Sequence, residues 1–413
     1  MNYQSRAWTV LIAGIGMNLC FGILYTWSVF SKEIVASLGW SVTEATMPYT
    51  VAIALFALLM VPAGRMQDKL GGRITASIGG LLCGGGLIVT SLSLTPNGAM
   101  MGFGVLTGMG LALGYGAATP TVIKWFPLYK KGLITGLVVA GFGGASLYAS
   151  PLVNYLLGIY GLQQSFLILG VAYSIVIVLC AQFFAIPPKE WSEQLAKMGG
   201  GGAKSNAAPV KVLQYETKDI FKTAQFYILW LSFAFTAVAG LIVIGHAAKI
   251  MALQGAQWGF ILVAILAIAN ALGRPSSGFL FDKLGRPGTC AFYFGLSAVT
   301  MFTLNFINSP YVLAFALIIV AFCYGSIAAI FPASTAEFFG TKNLGLNYGF
   351  VFTGWGVGGV FGSMISSMIF DATGSYATAF MIGGVLSAAA AVMCYLAKPP
   401  KAQLEYRNSG VSM

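Results

Sequence analysis

Long apolar runs alternate with short polar ones along the whole chain. Most runs hold roughly 20 residues, the length a helix needs to cross a bilayer, whereas the strands of a membrane barrel alternate over roughly 10. The pattern predicts twelve transmembrane helices, at about 7–30, 47–66, 74–94, 98–121, 132–157, 162–186, 224–250, 257–280, 288–307, 311–334, 345–370 and 376–397. The longest polar stretch is 187–223. It holds Pro187-Pro188, the run Gly199-Gly200-Gly201-Gly202, and Lys189, Lys197, Lys204, Lys211, Lys218 and Lys222. Such a composition reads as a flexible cytoplasmic linker. It separates an N-terminal six-helix half, 1–186, from a C-terminal six-helix half, 224–413.

Composition agrees. Of 413 residues, 58% are apolar and 8% charged, against about 25% charged in a soluble domain, and mean hydropathy is +0.83. The chain reads as an all-α membrane protein. Its net charge of +11 points to topology rather than to nucleic acid, because basic residues collect in cytoplasmic loops. With both termini inside, 19 of the 22 basic residues fall on the inner side, and Lys32, Lys249 and Arg274 are the exceptions. The expected location is the cell inner membrane, multi-pass, with both termini cytoplasmic. Arg6 followed by apolar sequence to Phe30 reads as the first span rather than a cleaved leader. The six cysteines lie inside apolar segments without a CxxC pair and read as small buried residues.

The two halves repeat. Gly64-x-x-x-Asp68-Lys69-Leu70-Gly71-Gly72-Arg73 follows span two, and Gly278-x-x-x-Asp282-Lys283-Leu284-Gly285-Arg286 follows span eight. Phe126, Gly132, Gly136 and Gly141-Phe142-Gly143 match Phe339, Gly345, Gly349 and Gly354-Trp355-Gly356 at nearly the same offset. Two matches at nearly one offset argue for parallel repeats with a site between them near the midplane. Twelve spans, a basic central loop and this loop motif in both halves resemble the major facilitator superfamily. The resemblance implies twelve transmembrane helices in two pseudo-symmetric six-helix bundles. It also implies that Asp68, Lys69, Arg73, Asp282, Lys283 and Arg286 form a cytoplasmic gate. Their plainer reading is ordinary turns with charges at helix ends.

The deep residues are few. All eleven acids lie in loops or near helix ends, which argues against a cation site or an acidic proton relay inside the membrane. Arg274 lies about 9 Å of helix inside the cytoplasmic end of span eight. A midplane arginine costs about 2.5–3.5 kcal/mol on insertion scales, so it reads as a carboxylate-binding fork. Snorkelling toward the inner surface is the alternative. Gly273 and Pro275 are expected to distort the helix and open space. Asn270, one turn away, would bond substrate or a neighbouring helix. His246 is the one histidine, and it reads either as a packing group or as a proton-coupling group alongside Arg274. Tyr25, Trp27, Tyr115, Tyr148, Tyr324, Phe331 and Trp355 could wall a cavity, and the resemblance favours those in spans one, four, ten and eleven. The tyrosines among them could donate a hydroxyl to a carboxylate. Gly110-x-x-x-Gly114, Gly132-x-x-x-Gly136 and Gly345-x-x-x-Gly349 read as close helix contacts. Gly84-Gly85-Gly86 is not a phosphate loop, and no catalytic constellation or cofactor motif appears. The chain does not read as an enzyme.

Gly22-Ile23-Leu24-Tyr25-Thr26-Trp27-Ser28, Asn270-x-x-Gly273-Arg274-Pro275 and Asn347-Tyr348-Gly349-Phe350 are similar to segments of monocarboxylate carriers and oxalate–formate antiporters. The antiporters carry lysine where Trp355 aligns, so one cation here suits a monoanion. Animal carriers have aspartate where Asn270 stands and lysine where Tyr25 aligns. The resemblance implies a transporter of lactate- or pyruvate-like anions across the lipid bilayer, with proton symport. Its carboxylate would rest on Arg274, and its body on Leu24, Tyr115, Tyr324 and Trp355. A carboxylate exchanger is the alternative, and a channel or membrane enzyme a remoter one.

Overall fold

The computed structural model describes residues 3–198, 213–255 and 259–401, and among them the apolar runs are helical and no strand occurs. The first run is α1 (Tyr3–Phe21), a 3₁₀ turn at Gly22–Thr26, and α2 (Trp27–Leu38). Next come α3 (Val42–Leu70) and α4 (Gly72–Leu92). The short α5 (Pro96–Ala99) leads through a π-helical stretch, Met100–Thr107, into α6 (Gly108–Ile123). α7 (Lys131–Gln182) is broken at Gly161. After the short α8 (Lys189–Met198) and α9 (Thr217–Ile220) follow α10 (Ala224–Leu253) and α11 (Gly259–Thr303), the latter broken at Gly285. α12 (Pro310–Phe339), α13 (Leu344–Thr373) and α14 (Ala377–Leu396) complete the chain.

Among the described residues, nine helical stretches are long and apolar enough to cross a membrane. Two of these, α7 and α11, each hold two spans joined at a break, and α13 supplies one more, so every one of the twelve expected spans is helical. Local sequence sets several starts. Ser41 and Glu44 close a capping box at the head of α3, satisfying two orphan donors. Pro310 opens α12, where its missing N–H is not needed.

The chain divides into two units, Met1–Phe126 with Val138–Ser192, and Pro127–Leu137 with Glu193–Met413. In the first, Trp27 Nε1 donates to the Ala45 carbonyl at 2.8 Å and its ring lies 4.0 Å from that of Phe103. Asn18 Nδ2 donates to the Val138 carbonyl at 2.9 Å. Trp191, on α8, is buried and donates to the Trp125 carbonyl at 3.2 Å. Part of the expected flexible linker is therefore docked helix, because its amphipathic start has an apolar face to bury. Residues 199–212, with the glycine run, Lys204 and Lys211, lie outside the described residues.

The second unit holds α10 to α14 and the first turns of α7. Gly132 and Gly136 bring those turns against α11 with backbones almost touching. A Cβ at Gly132 would stand 2.5 Å from the Gly278 carbonyl, and one at Gly136 would stand 2.5 Å from that of Arg274. This is the close approach that small-x-x-x-small spacing permits. The end of the linker is also fastened here. Gln214 Oε1 accepts from the amides of Thr341 and Lys342 at 2.9 and 2.8 Å. Tyr215 N donates to the Phe339 carbonyl at 3.0 Å. Lys342 pairs with Glu216 at 2.9 Å, and Thr217 Oγ1 donates to Asn347 Oδ1 at 2.7 Å. The repeat has a conformational signature as well. Gly71 has φ 83° and ψ 162° and its partner Gly285 has φ 69° and ψ 177°, a region essentially confined to glycine.

Candidate functional site

Arg274 sits on α11 at 4% exposure. Its Nε and Nη2 both donate to Asn270 Oδ1, at 3.3 and 3.1 Å. Asn270 thus bonds its own helix neighbour one turn away, not an adjacent helix, and it orients the guanidinium without adding charge. The surroundings leave the helix little room to move. A Cβ at Gly273 would stand 2.0 Å from the Phe322 carbonyl, and one at Gly325 would stand 2.0 Å from that of Asn270. Gly273 therefore draws α12 close rather than opening space, and α11 breaks at Gly285, not at Pro275. Side chains satisfy carbonyls around the proline: Ser276 Oγ donates to the Leu272 carbonyl at 2.8 Å and Ser277 Oγ to that of Arg274 at 2.9 Å.

Tyr324 and Trp355 come together in the same unit. Trp355 Nε1, on α13, donates to Tyr324 Oη, on α12, at 2.9 Å. Tyr324 also lines a cavity of about 10 Å³ with Thr236, Gly240, Phe294, Ser297, Cys323 and Ile327. Phe331 stacks on Phe233 at 4.1 Å and is fully buried, so it belongs to the packing of the unit.

In the first unit Phe142 gathers the expected residues. Tyr25 and Tyr115 each meet its ring edge-on at 5.2 Å, and Phe56 joins at 5.9 Å. Leu24 and Tyr25 lie on the 3₁₀ turn that interrupts the first span, a feature that often marks a functional hinge. Trp27 instead fills the core, and Tyr148 donates to the Leu19 carbonyl at 3.0 Å. The sequence signal for Phe142 was its match to Trp355 across the repeat.

His246 is half-buried near the end of α10, with Nδ1 3.1 Å from Tyr376 Oη. Tyr376 stacks on Phe370 at 4.7 Å, and Lys249 Nζ lies 3.7 Å over the Phe370 ring. Of the loop-motif residues, Asp282 makes the sharpest contact. Its two carboxylate oxygens accept from the amides of Gly132 and Leu133, each at 2.8 Å, capping the positive end of α7 with a full negative charge. Arg286, 2% exposed, donates to the carbonyls of Cys394 and Ala397 at the end of α14. It also lies 3.8 Å from Glu337 and over the Phe338 ring. Arg73 Nε donates to Gln182 Oε1 at 2.8 Å, and Lys283 lies over the Phe279 ring. Asp68 is half-buried and Lys69 exposed. Sequence reasoning missed Glu337 and Lys131, a cation 8% exposed at the head of α7. Their charges immediately beside apolar spans were the available signal.

A family model described as the Major Facilitator Superfamily matches residues 7–307 and, in a second match, 246–410. The chain belongs to that superfamily. It is a multi-pass membrane transporter and not an enzyme. The MFS-type transporter YhjX of Escherichia coli, described as uncharacterized, is 30% identical over 87% of each chain. The oxalate:formate antiporter of Oxalobacter formigenes is 28% identical over 93% of this chain and 89% of its own. Monocarboxylate transporter 13 of Rattus norvegicus is 24% identical over 91% and 85%. Among solved structures, the proton:xylose symporter XylE superposes with a TM-score of 0.73 at 14% identity, covering 94% of this chain and 95% of that one. At that identity it supports the fold alone.

Proposed function

We propose that this transporter carries small monocarboxylates of the lactate or pyruvate kind, by alternating access and with a proton. The observation that carries the reading is Arg274, a permanent cation at 4% exposure, steadied by the neutral amide of Asn270. A guanidinium fork matches a planar carboxylate with two parallel hydrogen bonds. An antiporter of oxalate and formate and a monocarboxylate transporter among its relatives support the same ligand class. Tyr324 and Trp355, with Tyr25, Tyr115 and Leu24, are the residues we assign to the substrate. Asp68, Lys69, Arg73, Asp282, Lys283 and Arg286 we assign to cytoplasmic gating, with Asp282 on the head of α7 as the strongest contact. We place the protein in the inner membrane with both termini cytoplasmic.

Coupling follows from charge. Moving a monoanion inward against a negative-inside potential costs about 2.3 kcal/mol per 100 mV, so net accumulation calls for a co-transported positive charge. We assign proton coupling to His246 as the titrating candidate, acting alongside the fixed charge of Arg274. The test is uptake of labelled carboxylates by protein reconstituted into liposomes. Uptake of lactate or pyruvate that accelerates with an inward proton gradient supports the proposal. Strict dependence on an internal carboxylate, without response to the gradient, makes it an exchanger. No uptake or counterflow of any carboxylate overturns the ligand class.

A further inference from the structure

The first span leaves the α-helical pattern at identifiable bonds. The Trp27 amide donates to the Leu24 carbonyl, three residues back, where an α-helix would send it four back to Ile23. The Thr26 hydroxyl donates to the Ile23 carbonyl at 2.8 Å. Leu19 is among the last four residues of α1, whose carbonyls the helix leaves without an amide. Its carbonyl accepts from the Tyr148 hydroxyl, on α7, at 3.0 Å. Two side-chain hydroxyls thus bond the carbonyls that a continuous helix would join to the amides of Trp27 and Ile23. A carbonyl only accepts, so Tyr148 is the donor, and its 3.2 Å contact with Tyr173 Oη runs on the Tyr173 proton. Packing holds the turn as well. A Cβ on Gly22 would stand 2.0 Å from that of Ala145 and 2.7 Å from the Phe142 carbonyl, so α7 lies directly against it. Beyond the turn, Trp27 is anchored on the Ala45 carbonyl.

We propose that Tyr148 is a positioning residue: its hydroxyl holds Gly22–Thr26 in the 3₁₀ form and so fixes where Leu24 and Tyr25 meet the substrate. This rests on the assignment of Leu24 and Tyr25 to the substrate above, and adds the group that controls them. Bonds in a 3₁₀ turn have poorer geometry than those of an α-helix. Without an outside donor, the Leu19 carbonyl is satisfied by winding the turn into α-helix, where the Ile23 amide reaches it. Winding changes the rotation per residue from about 120° to about 100°. With Trp27 anchored, that rotation falls on Leu24 and Tyr25, and Tyr25 turns away from the Phe142 ring that it meets edge-on.

The experiment pairs lactate uptake in proteoliposomes with hydrogen exchange of residues 19–27 in purified protein, which needs no substrate. The proteins are wild type, Tyr148→Phe and a protein with 4-aminophenylalanine at position 148, which restores an N–H donor. Tyr148→Phe should raise KM about three- to tenfold, the scale of one neutral hydrogen bond, with maximal rate within about twofold. Protection over 19–27 should rise about threefold or more, because the α-helix replaces the weaker turn. A hydroxyl that merely braced the fold would lower protection when removed. The 4-aminophenylalanine protein should return both readouts to within about twofold of wild type. 4-Fluorophenylalanine, which also lacks a donor, serves if the phenylalanine variant folds poorly. Protection that falls or stays the same without the donor, raised protection with an unchanged KM, or no rescue by the amine each overturns the assignment. Wild-type liposomes that take up neither lactate nor pyruvate overturn the carboxylate reading instead, and exchange over 19–27 still decides whether Tyr148 holds the turn.

Discussion

A buried guanidinium commits its surroundings to one sign of charge, and at the residue scale that is the main determinant here. Arg274→Ala should weaken carboxylate binding by about 100-fold or more, the loss of two charge-assisted hydrogen bonds. Arg274→Lys should recover little, since a point charge lacks the planar fork. Binding to detergent-purified protein checks both, and near-normal affinity in Arg274→Ala would sink the site. Trp355→Lys adds a second cation and removes the donor to Tyr324, so lactate affinity should fall while competition by oxalate rises. Equal oxalate competition in both proteins would show that position 355 does not set charge selectivity. Arg274 was legible in the sequence as an isolated cation in an apolar run. Its bond to Asn270 was not, because an asparagine on a helix has several reachable partners and spacing does not choose among them. The pairing of Tyr324 with Trp355 was hidden for a related reason: it joins two helices, and nothing in either run names the other.

At the element scale the contacts are set by glycine. Gly136→Val forces α7 off the Arg274 carbonyl and should lower thermal stability by the equivalent of about 1–3 kcal/mol. Gly158→Ala, where an added Cβ meets nothing, should leave the melting temperature unchanged or raise it. A scanning thermal-shift assay on both separates close packing from a general intolerance of larger side chains in α7. Arg286 is the corresponding case for charge. Arg286→Ala leaves the Cys394 and Ala397 carbonyls and Glu337 without their cation and should destabilise by roughly 3 kcal/mol. Arg286→Ala with Glu337→Gln should regain part of that, and a pair no better than the single would remove Glu337 from the account. The spans themselves were legible as runs of apolar residues. Their packing faces were not, since a helix that is apolar all round carries no stripe to mark the inward side. The repeated loop motif was the exception, because Gly71 and Gly285 need a conformation that only their residue type supplies.

For the whole molecule, the decisive measurement is flux against driving force. Uptake should rise with an inward proton gradient and be unchanged when sodium replaces potassium outside. His246→Ala should shift the pH profile, and an unchanged profile would exclude that residue as the essential titrating group. The fastening of residues 214–217 has a mechanical consequence for the chain as a tether. The C-terminal end of the linker is not a free rope but a cleat, so a pull on residues 214–217 is delivered first to the loop ahead of α13 and to Asn347, then onward along the helix that carries Trp355. The cleat also has a pH limit. The Lys342 ammonium, with Asn343 beside it, holds the Glu216 carboxyl below the usual carboxylate range. A depressed folded-state value means the pair is intact at neutral pH and is lost as pH falls through that lowered value. The protection factors of residues 213–220 against hydrogen exchange, taken relative to the intrinsic rate at each pH, should therefore fall in acid below the ordinary carboxylate range, and Glu216→Gln should lower them at neutral pH. An engineered cleavage site or insertion at 214–217 would slacken the line at its anchor and change transport even though no substrate residue had been touched.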